Sequence, residues 1–182
     1  MSKLSLATLY GAGLSPKAPG TVGSLVAALL AFGILQLPYG WAILAAGAAL
    51  FTYLGAYASA HHMRDHATAH DPSEIVVDEL AGQWLTYSIW HAWLFAMAGN
   101  SFAAVTLLND VSANPLYLAL GFLLFRFFDI LKPWPISLAD RKVKSGFGVM
   151  FDDVLAAIPA GTILYIIYLL SPYFMGGVQS TV

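Results

Sequence analysis

The chain has 182 residues, of which 59% are hydrophobic and only 10% charged, with a formal net charge of −2. A soluble domain carries about 25% charged residues, so a water-facing surface cannot be built from this sequence, and a membrane is the environment that remains. With no cysteine, disulfides, thiolate metal sites and a cysteine nucleophile are excluded.

The length suits one domain over 1–182. No cleavable signal peptide is expected, because the stretch Met1–Tyr10 is short and no A-x-A-like site follows it. The run from Gly11 to Ser24 mixes glycines, hydroxyls and Lys17 and leads directly into an apolar span, Thr21–Leu37. Backbone N–H groups at such a helix start form an anion site, with Thr21 as the expected N-cap and Lys17 beside it. It is not a Walker A loop, since no Gly-Lys-Ser/Thr tripeptide occurs.

Pro38-Tyr39-Gly40 then predicts a turn into a second span, Trp41–Ala60, whose small residues suit close helix packing. The loop His61–Asp78 carries His61, His62, His66 and His70. They are read as interfacial polar residues rather than metal ligands, with His70 the best placed to contribute. A third span, Leu80–Ala98, starts immediately after Asp78-Glu79. Adjacent carboxylates at a helix N-terminus also serve as caps. Phe102–Leu108 is too short to cross and is expected at the interface or in a loop.

The fourth span, Leu116–Leu131, ends in a charged run where Arg126, Asp129 and Lys132 recur at i, i+3 and i+6 on one helix face. That spacing suits a buried Arg–Asp pair with a snorkelling lysine, or an arginine fork for phosphate beside a metal carboxylate. Pro133 and Pro135 are expected to end the helix and Trp134 to anchor among headgroups. The glycines of Gly146 to Gly148 are expected to turn the chain tightly into the fifth span, Val154–Leu170, headed by Asp152-Asp153. Two carboxylate pairs entering the bilayer on one side repel unless neutralised, and hard divalent cations, Mg²⁺ first, favour oxygen ligands.

The fold class is therefore an all-α polytopic membrane helical bundle with about five transmembrane helices. Its basic residues, Lys3, Lys17, Arg64, Arg126, Lys132, Arg141, Lys142 and Lys144, fall on or next to one side. By the positive-inside rule that side is cytoplasmic, with the N-terminus in and the C-terminus out. Nine of the acids share it and only Asp110 lies opposite. Ionisable residues at membrane depth suggest function by default. The basic residues are too few for a nucleic-acid footprint, and the sequence sets no oligomeric state.

Four ordered segments resemble the phosphatidylglycerophosphatase A family: Gly13 to Ser24, Ile75 to Glu79 with Gly82-Gln83, Phe125 to Ile136 (Phe-Arg-Phe-Phe-Asp-Ile-Leu-Lys-Pro-Trp-Pro-Ile), and Gly148 to Asp153. The resemblance spans about Gly11 to Ala156. It implies a Mg²⁺-dependent phosphatase of the bacterial inner membrane, acting from the cytoplasmic side in phosphatidylglycerol biosynthesis. Its substrate would be phosphatidylglycerophosphate, and its products phosphatidylglycerol and inorganic phosphate. By motif matching, Asp78, Glu79, Asp129, Asp152 and Asp153 would carry metal binding or acid–base work. Arg126 and Lys132 would hold the phosphate, with Lys17 and Thr21 as further candidates. In our assignment Asp78, Asp152 and Asp153 hold the metal, Asp129 bridges or orients Arg126, and Glu79 acts as base toward the attacking water, with an aspartyl-phosphate route competing. The rival readings are a small ion-coupled transporter and a CDP-alcohol phosphatidyltransferase. The first predicts acids near mid-membrane, and the second an Asp-Gly-x-x-Ala-Arg signature that the sequence lacks.

Overall fold

A computed structural model describes residues 18–65, 76–97, 111, 114–142 and 146–171. These residues form helices joined by turns: α1 (Pro19–Leu35), α2 (Gly40–Asp65), α3 (Val77–Met97), α4 (Pro115–Leu131), α5 (Ile136–Lys142) and α6 (Gly146–Leu169). No strand occurs among the described residues.

Local chemistry explains most boundaries. Pro19 opens α1, where its missing N–H costs nothing. The predicted turn at Pro38–Gly40 is present, with Tyr39 at φ 58°. Asn114 caps α4 by accepting from the Leu116 N–H at 3.0 Å, and Pro115 takes the first helical position. At the other end Lys132 adopts a left-handed conformation (φ 41°, ψ 56°) immediately before Pro133, which disfavours a helical predecessor.

Two boundaries differ from the sequence expectation. Helix α6 begins at Gly146, two turns before Val154, so Gly146 and Gly148 lie inside a helix rather than in a tight turn. Helix α2 runs on to Asp65, so His61 and His62 belong to it and not to a loop. The His61 and His62 side chains, His66, His70, Asp110 and the segment Phe102–Leu108 lie outside the described residues.

Contacts between named side chains fix the helix directions. On α1, Gly20 faces Glu79 and the Ala27 carbonyl accepts from Trp84 Nε1 at 3.0 Å, so α1 and α3 run the same way. On α4, Arg126 meets Glu79 while the Leu118 carbonyl accepts from the Tyr87 hydroxyl at 2.8 Å, so α4 runs opposite to α3. Lys132 meets Asp152 and Tyr117 meets Ser171, so α6 is antiparallel to α4. Gly47 faces Trp84 and Gly55 faces Val77, which makes α2 antiparallel to α3.

Helix α3 is the inner member. Its Gln83, Thr86, Tyr87, Ser88, Trp90 and His91 are all buried. Most of these polar groups are bonded internally, as burial in an apolar environment requires: Thr86 to the Gly82 carbonyl, Ser88 to that of Trp84, and His91 Nδ1 to that of Tyr87. The surrounding helices carry the opposite pattern. Leu29, Leu50, Leu123 and Ile130 are each more than half exposed. Among the described residues two stretches are long and apolar enough to cross a membrane, Gly40–Tyr57 and Met150–Leu169, and only 22% and 44% of them is buried. A bundle with polar groups inside and leucines outside is built for lipid.

The packing of α2 on α3 is testable at Gly47. A Cβ there would lie 2.5 Å from the Trp84 ring, which the Ala27 hydrogen bond holds in place, whereas one at Gly33 would meet nothing within 4 Å. Gly47→Leu should destabilise the purified protein by about 1–3 kcal/mol, seen as a lower melting temperature in detergent. Gly33→Leu should leave it near the parent value.

Candidate active site

The same end of each helix delivers a charged or small residue to one place. The first turn of α3 supplies Asp78 and Glu79. The last turns of α4 supply Arg126 and Asp129, and Lys132 caps it. Helix α6 supplies Asp152 and Asp153, two turns inside the helix rather than at its N-terminus, so capping does not explain them. Both are buried, at 7% and 4% exposure.

Two carboxylate triads result. Asp78, Glu79 and Asp153 offer oxygens that all lie within 4.8 Å of one another, and so do Asp129, Asp152 and Asp153. Asp153 belongs to both. Two like unit charges at that separation repel by about 3 kcal/mol at an effective dielectric constant near 20. Three such pairs approach the whole stability of a typical fold, about 5–15 kcal/mol. Positive charge lowers that cost, and the described residues provide two cations. Arg126 Nη1 lies 2.6 Å from Asp129 Oδ2 and 3.9 Å from Glu79 Oε1. Lys132 Nζ lies 2.5 Å from Asp152 Oδ2. The expected Arg126–Asp129 pair is present at i, i+3, and Lys132, in its left-handed cap, pairs with Asp152 of α6, whose carboxylate lies beside that of Asp129.

These pairs leave specific atoms unanswered. Glu79 Oε2, Asp153 Oδ2 and Arg126 Nε are buried without a hydrogen-bond partner among the described residues. Buried polar atoms are rarely left so. Two of the three belong to the Asp78–Glu79–Asp153 triad, which is made of oxygen donors only. That is the donor set a hard divalent cation takes, so the residues fit Mg²⁺.

Small residues make the approach possible. A Cβ at Gly20 would collide with Glu79 Oε1, and one at Gly82 would lie 2.6 Å from the Phe125 ring and 3.1 Å from Asp153 Cβ. Thr21 sits within the first turn of α1 and is not its N-cap, which is Ala18. Lys17 lies outside the described residues. Two neighbours had no role in the sequence reading. Ser24 Oγ accepts from Arg126 Nη1 at 3.3 Å while donating to the Gly20 carbonyl at 2.9 Å. Gln83, one turn beyond Glu79, is fully buried, and neither amide atom has a partner among the described residues. The i, i+4 spacings Gly20–Ser24 and Glu79–Gln83 were the available signals.

A family model described as phosphatidylglycerophosphatase A matches residues 5–168. The chain belongs to that family. It is 35% identical to phosphatidylglycerophosphatase A of Escherichia coli over 162 residues, covering 89% of this chain and 81% of that one. The Haemophilus influenzae phosphatidylglycerophosphatase A is 38% identical over 166 residues, with 89% and 86% covered. A Bacteroides thetaiotaomicron relative with the provisional name phosphatidylinositol-3-phosphatase is 35% identical over 156 residues, with 84% and 85% covered. No solved structure matches. Membership in the phosphatidylglycerophosphatase A family makes the chain a phosphatase, and decides against the transporter and phosphatidyltransferase readings.

The Arg126 network yields a prediction. Lysine keeps the charge but has no fork to meet Asp129, Glu79 and Ser24 together. Arg126→Lys should lower initial phosphatase rates in detergent micelles by about 10²-fold. Ser24→Ala, which removes one acceptor of about 1 kcal/mol, should lower them by about fivefold.

Proposed function

We propose that the chain is a Mg²⁺-dependent phosphatase that converts phosphatidylglycerophosphate to phosphatidylglycerol and inorganic phosphate in the bacterial inner membrane. The observation that carries this reading is the partly buried double triad around the buried Asp153, with unanswered carboxylate oxygens beside a guanidinium, in a chain of this family. Five long helices of alternating direction support five crossings, with the N-terminus and the charged end in the cytoplasm. At that end the site lies at headgroup depth, where the substrate's phosphomonoester sits while its acyl chains stay in the bilayer.

Asp78, Glu79, Asp129, Asp152 and Asp153 would hold Mg²⁺. When bound, the ion supplies charge neutralisation at the phosphoryl oxygens and activates water for attack. Phosphoryl transfer otherwise demands positioning and electrostatics, which the chain's own groups provide. Arg126, held by Asp129 at 2.6 Å, directs guanidinium N–H donors at the phosphate. Lys132 adds a second positive charge at the Asp152 side. Glu79 Oε2, which has no hydrogen-bond partner among the described residues, takes the proton of the attacking water. The water oxygen bonds to phosphorus as the bond to the glycerol oxygen breaks. That oxygen takes a proton from water to become the hydroxyl of phosphatidylglycerol, Glu79 returns its proton to solvent, and inorganic phosphate leaves. Lys17 and Thr21, at the start of α1, are further contacts for the phosphate.

A second headgroup is raised by the name of the Bacteroides relative, so the test has two substrate arms. Purified protein in detergent should release phosphate from phosphatidylglycerophosphate with Mg²⁺, lose that activity with a chelator, and act at least about tenfold less efficiently on phosphatidylinositol 3-phosphate. Asp153→Ala, which strikes both triads, should cost at least about 10²-fold. Release that ignores the chelator would contradict the metal assignment, and a preference for the inositol lipid would contradict the substrate.

A further inference from the structure

Between α1 and α4 the outer face of the bundle carries a groove of about 340 Å³ whose lining is apolar throughout. Ala28, Leu29 and Phe32 of α1 and Leu118, Ala119 and Phe122 of α4 form it. Its volume is in the range of small-molecule sites, about 300–1,000 Å³. The buried pair Ala28 and Leu118 makes the floor, and the Tyr87 hydroxyl fixes the Leu118 carbonyl at 2.8 Å. Ala28 and Ala119 leave a notch that the larger side chains flank.

The position of the groove decides what it holds. Phe122 lies one turn, about 6 Å, from Arg126 along α4, and Leu25, at the near end, follows Ser24 directly. The two helices meet at that end through the Arg126–Ser24 hydrogen bond of 3.3 Å. The apolar groove therefore runs along the α1–α4 seam, and its near end lies one helical turn from Arg126, the residue assigned to the phosphate. A molecule matching both parts has an anionic phosphate at one end and a long hydrocarbon at the other.

We propose that this groove seats an acyl chain of the lipid whose phosphate Arg126 holds, so that the substrate reaches the site sideways from the bilayer. The inference rests on the proposed function and adds the place and route of the lipid tail. Lipid and groove are equally apolar, so the groove contributes little affinity. Its effect is on register: a seated chain sets the depth and rotation of the headgroup, and misplacement by about 1 Å can cost about 10²-fold. A second apolar groove of about 440 Å³, bordered by Ala49, Ala56 and Val154, lies on α2 and α6. Thr52 and Tyr53 also border it, and no cation lines it among the described residues. It is not assigned to substrate.

The test compares catalytic efficiency on dioleoyl and dihexanoyl phosphatidylglycerophosphate in the same micelles. Ala119→Trp fills the α1–α4 groove from an exposed position and should lower the dioleoyl-to-dihexanoyl ratio of kcat/KM at least about tenfold. Ala49→Trp, equally exposed on the other groove, should leave that ratio at the parent value. Because the chain has no cysteine, Ala119→Cys can also be folded first and then alkylated with maleimides of increasing size, and the ratio should fall with their bulk. An unchanged ratio in the filled or alkylated protein, or an equal fall in Ala49→Trp, would overturn the inference alone. Failure of the unaltered protein to release phosphate from either lipid would overturn the phosphatase reading and this one with it.

Discussion

The structure is organised around a surplus of negative charge in a place that excludes water. Five carboxylates, Asp78, Glu79, Asp129, Asp152 and Asp153, crowd one end of the bundle, and among the described residues Arg126 and Lys132 form ion pairs with three of them, Glu79, Asp129 and Asp152. In an apolar surround each uncompensated pair is costly. Everything nearby reduces that cost or uses it. Gly20 and Gly82 let the acids and the guanidinium approach, Ser24 shares the load of Arg126, and the left-handed cap brings Lys132 onto Asp152. What remains unbalanced is a standing demand for a divalent cation and an anionic phosphate together.

The rest of the bundle serves that demand by division of labour. Helix α3 holds the polar interior, where Thr86, Tyr87, Ser88 and His91 bond to backbone carbonyls. The outer helices turn leucines and aromatics outward, so the charged end is the one strongly polar feature among the described residues. A soluble phosphatase must draw its substrate out of the membrane. In the proposed function the scaffold already lies in the lipid, and chemistry at a helix end meets a headgroup where it naturally resides.

Much of this was legible in the sequence. Composition, apolar runs and the Pro38–Gly40 turn predicted five long helices, three of them within three residues at each end, and the motif order pointed to the acids that converge. The misses have physical causes. Gly146 and Gly148 looked like breakers, but Met150 packs under Gly55 and Val77 and draws that segment into α6, a tertiary contact overriding propensity. That changed the meaning of Asp152 and Asp153 from helix-end acids to buried ones. Lys132 ends α4 in a left-handed cap, because the residue before proline is disfavoured in the helix, and its partner Asp152 comes from another helix. Ser24 could not be assigned its role, since its hydroxyl acquires one only when Arg126 of a distant helix supplies the partner.

Asp153 is the point on which the account turns, because both triads share it. The most direct measurement is Mn²⁺ binding to the purified protein, followed by electron paramagnetic resonance, with Mn²⁺ standing in for Mg²⁺ as a hard, oxygen-seeking ion. The account predicts saturable binding by the parent chain and at least about tenfold weaker binding by Asp153→Asn. Equal binding by the two proteins, or none by the parent, would contradict it.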